Sequence, residues 1–110
     1  MNVPEFSVKT KLHSETALMP WRDLQRFFAK GVVIVVDTSL NLVSVATLFA
    51  EDRAKDLLPY TESGDVSAPT NDQARDWYTN DAELWSVVVA PYVLVQEPSV
   101  NQANEPQSSA

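Results

Sequence analysis

The sequence predicts a single α+β domain: a small three-stranded mixed sheet packed by about five short helices. Two runs suggest the sheet. Val32–Val36 is five aliphatic residues, four of them valine, and Leu84–Gln96 reads LWSVVVAPYVLVQ, with only Ser86 and Pro91 breaking the apolar residues as far as Val95. β-Branched and aromatic side chains in such density favour strands. Both alternating faces of the second run are apolar, so that strand expects cover on two sides. The third observation is the spacing of apolar residues between the two runs, which recur every three or four positions as helices require.

Taken in order, residues 1–5 are expected to be flexible and residues 6–97 to form the domain. Phe6–Met19 reads as a helix, with Val8, Leu12, Thr16 and Met19 near one face. Pro20 suits the first turn of a second helix, Pro20–Lys30, since its missing N–H costs nothing there. Trp21, Leu24, Phe27 and Phe28 form the apolar side of that helix and Gly31 its C-terminal cap. Val32–Val36 follows as a buried strand, closed by Asp37, Thr38 and Ser39.

Leu40–Ala50 has polar residues at Asn41, Ser44 and Thr47, a helical spacing. A hairpin strand against Val32–Val36 is the competing reading, because Val43 and Val45 favour strands. Asp52 can cap a fourth helix running toward Tyr60, which Pro59 would end early. Val66–Ala68 reads as a short strand, and Pro69–Asn71 opens a fifth helix through about Thr79. Pro91 cannot donate to a sheet ladder, so it marks a bulge or an exposed edge in the final strand. Residues 98–110 are polar, contain proline and are expected to be disordered.

Composition narrows the function classes. The chain has 110 residues, 45% hydrophobic and 21% charged, which is ordinary for one globular domain. It contains no cysteine, so disulfides, thiolate metal sites and cysteine nucleophiles are excluded. Gly31 and Gly64 are the only glycines, too few for a phosphate-binding or dinucleotide-binding loop. His13 is the only histidine, which removes two-histidine metal sites and reads as a surface residue. No catalytic residue and no cofactor is assigned. The apolar runs are too short to span a membrane as helices, and nothing at the N-terminus resembles a signal peptide, so a cytoplasmic location is expected.

The formal net charge of −7 argues against nucleic acid, including a winged-helix reading of the early helices and late strands. The charge is uneven. Residues 1–55 hold seven Lys/Arg against six Asp/Glu, and residues 56–110 hold one Arg against nine acids. Such asymmetry suits docking between the two halves, within a chain or between copies.

Three constellations are candidate sites. Glu51, Asp52 and Asp56 form an acidic cluster in which Asp52 and Asp56 would share a helix face and could hold Mg²⁺ or Ca²⁺. Arg22, Arg26 and Lys30 fall at i, i+4 and i+8, a basic stripe for an anion or an acidic partner. Trp21, Trp77 and Trp85 are expected in the core, with a Trp-lined groove for a ligand or peptide as the competing reading.

Three stretches carry a family resemblance: Glu15–Gly31 (ETALMPWRDLQRFFAKG), Leu40–Asp52 (LNLVSVATLFAED) and Asp81–Glu97 (DAELWSVVVAPYVLVQE). Together they resemble a family of short bacterial proteins known as domain of unknown function 2288 (DUF2288). The resemblance runs from about residue 9 to residue 97 and implies a small bacterial protein with no assigned activity or cofactor. The chain departs from the family pattern at Asn41, Ser44, Arg53 and Tyr92.

The expected function is therefore a non-enzymatic interaction or scaffold protein, with self-association as a homodimer if the helices leave one sheet face bare. The alternative is a small metal-dependent enzyme or ligand binder using Glu51, Asp52 and Asp56.

Overall fold

The computed structural model describes residues 8–98, which comprise five helices and five strands. The expected flexible segment 1–5 lies outside them, as does nearly all of the expected disordered tail 98–110. In chain order the elements are α1 (Val8–Glu15), β1 (Ala17–Pro20), α2 (Trp21–Ala29), β2 (Val33–Val36), α3 (Leu42–Ala50), α4 (Ala54–Ser63), β3 (Val66–Ser67), α5 (Asn71–Thr79), β4 (Glu83–Val89) and β5 (Tyr92–Gln96). The strands form one sheet in the order β1-β4-β5-β2-β3. β5 runs parallel to β2, and every other pair is antiparallel.

The α+β class is as expected, but the sheet has five strands instead of three. One extra strand comes from the first predicted helix. It ends at Glu15, where Ser14 Oγ donates to Lys11 O (2.8 Å) and Thr16 Oγ1 to Leu12 O (2.8 Å). Residues 17–20 then pair with β4, although ALMP holds no β-branched residue. The other comes from the long apolar run. Pro91 is neither a bulge nor an edge position but lies in a reversal, so Val89 opposes Tyr92 in a tight hairpin. A residue without an N–H is harmless in a turn.

Leu40–Ala50 resolves as helix: Asn41 accepts the Ser44 N–H (2.9 Å) and α3 runs from Leu42. Pro59 does not stop α4, which continues to Ser63 and closes on Gly64 at φ 87°. α5 opens with a reciprocal cap, Gln73 N–H to Thr70 Oγ1 (3.0 Å) and Thr70 N–H to Gln73 Oε1 (2.9 Å).

Helices α2, α3 and α5 end in one motif. Val32 N–H reaches Phe27 O (3.2 Å), Arg53 N–H reaches Leu48 O (2.9 Å) and Ala82 N–H reaches Trp77 O (2.9 Å). Each bond spans a residue in the left-handed region: Gly31 (φ 77°), Asp52 (φ 56°) and Asp81 (φ 54°).

Alternation along the strands feeds two cores. Ile34, Val36, Val87, Val89 and Leu94 point to one face, where they meet α1, α3 and α4 through Leu12, Val43, Val45, Ala46, Leu57 and Tyr60. Val33, Val35, Leu84, Val93 and Val95 point to the other, where Trp21, Leu24, Phe28 and Trp77 of α2 and α5 cover them. Helices therefore lie on both faces, and the bare sheet face that motivated a homodimer is absent among the described residues. The two-sided cover expected of the long apolar run holds for β5, where Val93, Leu94 and Val95 are all buried. On β4, by contrast, Trp85 and Val88 are exposed.

Candidate functional site: the groove over Trp85

The parallel pair β2 and β5 ends at a loop, Asp37–Asn41, that leads into α3. Several bonds fix this loop. Asp37 Oδ2 accepts from the Ser39 amide (2.9 Å) and hydroxyl (2.6 Å), and Asp37 N–H donates to Asp65 O (2.8 Å). From β5, Gln96 Nε2 donates to both Asp37 O (2.9 Å) and Leu40 O (2.7 Å). The Ser39 hydroxyl, and after it the Ser39 amide, hold the exposed Asp37 carboxyl below its ordinary value.

Beside this loop, α1 and α3 lie next to each other on one face of the sheet. Between the end of α1 and the start of α3 is a groove of about 570 Å³. Trp85 and Gln96, which are cross-strand neighbours, line it together with His13, Leu40 and Asn41. Trp85 is 38% exposed, and its other cross-strand neighbour, Leu18 of β1, is 44% exposed. A second cavity of about 320 Å³ adjoins the first, sharing His13, Asn41 and Val43 and adding Lys9 and Thr10. The two form one trough along α1.

Most polar side chains here already serve the walls. Gln96 ties the loop, Thr16 closes α1 and Asn41 caps α3. Glu97 accepts from Trp77 Nε1 (2.8 Å), a residue of the core on the other face of the sheet. The groove thus offers a partner an indole face, aliphatic neighbours, and His13 and Lys9 one helical turn apart.

The outer edge of the sheet continues this surface. Trp21 N–H donates to Ala82 O (2.8 Å), in register with the β1–β4 pairing, so Met19 and Ala17 bond inward and the Leu18 N–H and C=O point out. The edge is short and ends in Pro20, which has no outward N–H.

The sequence-predicted sites fare differently. Asp52 and Asp56 do not share a helix face: Asp52 is the left-handed residue that ends α3, and α4 begins only at Ala54. Arg53 lies between the carboxylates, 2.6 Å from Asp56 and 3.7 Å from Glu51. Among the described residues no group of three or more His, Asp or Glu is placed to hold a metal ion. Arg22 and Arg26 are both on α2, while Lys30 caps its end. Arg22 pairs with Asp81 (2.6 Å), whose hydrogen bond and charge raise the guanidinium above its ordinary value. Arg26 lies over the Phe27 ring, 4.8 Å from its centre. Trp21 and Trp77 are core residues with ring centres 4.9 Å apart, whereas Trp85, expected in the core, is the floor of the groove.

A family model described as protein of unknown function (DUF2288) matches residues 7–97. The chain belongs to the DUF2288 family. This DUF2288 protein is similar to a solved structure, the NMR solution structure of PA1075 from Pseudomonas aeruginosa. The two are 38% identical, with a TM-score of 0.74 over 90% of this chain and 94% of that one. No curated protein matches the sequence. No helix among the described residues is long and apolar enough to cross a membrane.

Proposed function

We propose that this DUF2288 protein is a non-enzymatic interaction protein and that its binding surface is the groove between α1 and α3. The observation that carries the reading is Trp85. Its half-exposed indole lies in an open groove beside Leu18 while its two sister tryptophans are buried. A large aromatic left open on a rigid floor is the usual anchor of a protein interface. The loop bracing supports this, because a preformed wall reduces the ordering cost of binding.

Affinity capture on the immobilised full chain, run beside Trp85→Ala and Tyr78→Ala, tests the reading. Partners retained by the wild type and by Tyr78→Ala but lost with Trp85→Ala are the expected result. A captured set indifferent to Trp85→Ala refutes it.

Self-association is a second reading, favoured by the outward amide and exposed side chain of Leu18. A two-fold axis there would pair Leu18 with its mate through two backbone bonds. Size exclusion with light scattering decides this, and a strict monomer at high micromolar concentration overturns it.

A further inference from the structure

We infer that the trough along α1 receives an extended peptide segment of a partner protein, with an apolar side chain seated on Trp85 and a carboxylate placed toward Lys9 and His13. The inference rests on the interaction reading above and adds the partner's chemistry. The shape favours a peptide. Two open cavities of about 570 and 320 Å³ adjoin along α1, from Lys9 to Thr16, and share His13, Asn41 and Val43, making a trough instead of a closed pocket. An extended chain advances about 3.3 Å per residue with alternating side chains, so residues two apart drop toward the same floor.

Charge gives the direction. The protein carries −7 overall, yet the α1 end of the trough is lined by Lys9 and His13 with no acidic residue. The two are four residues apart on one helix and so share a face, about 6 Å apart along its axis. Glu97, the one acid in the lining, turns its Oε2 to Trp77 in the core on the other face of the sheet. A carboxylate on the partner is therefore matched at the Lys9 end, which fixes the orientation of the segment. The apolar anchor falls over Trp85, which lines the larger cavity beyond His13.

The test selects peptides from a phage-displayed random dodecamer library on the immobilised full chain. Selected peptides are then measured by fluorescence anisotropy against the wild type, Trp85→Ala, Trp85→Leu, Lys9→Glu and the remote control Arg26→Glu. The expected selection is enriched in Asp or Glu beside Leu, Phe or Trp. Trp85→Ala weakens binding about tenfold or more, with Trp85→Leu intermediate. Lys9→Glu weakens it about threefold or more and flattens its salt dependence, while Arg26→Glu leaves it unchanged.

Binders that need Trp85 but are not acidic, or that ignore Lys9→Glu, overturn the inference while leaving the groove as the interface. Binders indifferent to both Trp85 variants, or no binders at all, overturn the groove reading itself. If Trp85→Ala fails to fold, Lys9→Glu on the exposed face of α1 still decides. A second copy as occupant would appear as concentration-dependent shifts of the Trp85 and His13 NMR signals in unliganded protein, and it too overturns the inference.

Discussion

Replacing Gln96 perturbs both the fold and the groove. Its amide nitrogen ties β5 to the Asp37–Asn41 loop, donating to Asp37 O at 2.9 Å and Leu40 O at 2.7 Å. A hydrogen bond of this kind contributes about 0.5–1.5 kcal/mol net, so losing both in Gln96→Met costs about 1–3 kcal/mol. Gln96→Glu is worse at neutral pH, because it turns a carboxylate toward two carbonyl oxygens. For a domain of this size about 1 kcal/mol shifts Tm by roughly 4–8 °C. Urea unfolding followed by tryptophan fluorescence, with thermal melts alongside, measures both variants. The expected order of stability is wild type, Gln96→Met, Gln96→Glu. If Gln96→Glu unfolds within about 0.5 kcal/mol of the wild type at pH 7, the loop is not held by this side chain. The loop would then rest on its Asp37–Ser39 and Asp37–Asp65 bonds.

Other perturbations separate the remaining claims. Leu94 is fully buried on the central strand, and Leu94→Ala is expected to cost about 2–5 kcal/mol in the same urea assay. Asn41→Ala removes the α3 cap and should cost about 1 kcal/mol. Asp52→Gly relieves a left-handed aspartate and should leave stability unchanged or raise it by up to about 1 kcal/mol; a loss of that size would mean its carboxylate does more than end α3. The folded Asp37 carboxyl is held below its unfolded value, so the unfolded chain takes up its proton first as pH falls. Its stabilising contribution is present above about pH 4 and is lost as pH drops through the lower folded value. Asp37→Asn should therefore flatten the acid limb of a stability–pH profile below that point and leave the slope at neutral pH untouched.

Local chemistry made much of the fold legible in the sequence. The spacing of Trp21, Leu24, Phe27 and Phe28 marked α2, Thr70 marked the start of α5, and the valines of β2 marked a strand. β1 was not legible, because ALMP has no strand preference of its own and pairs only because β4 lies beside it, Leu18 opposite Trp85. Splitting the long apolar run needed the same long-range information: Pro91 could be seen to interrupt the ladder, but not that the chain turns back there. The arrangement of the acidic cluster was not legible either. Asp52 looked like a helix start and is instead a helix end, a distinction set by its backbone angle and by the Arg53–Leu48 bond. The groove was the least legible feature, since Trp85 has the same apolar sequence neighbours as a core residue and differs only in what lies over it.

The strand at the centre of the sheet is the last element in chain order among the described residues. Val33 meets Val93 and Val35 meets Val95 across sixty residues of intervening sequence. During synthesis, β2 emerges early and must wait for residues 92–96 before its parallel neighbour exists. A nascent chain that stops before β5 lacks the middle of its sheet, not a margin of it, and leaves β2 and β4 without the strand that joins them. Assembly is thereby tied to the arrival of the C-terminal strand, and a fragment lacking β5 should regain native structure when a peptide spanning it is supplied in trans.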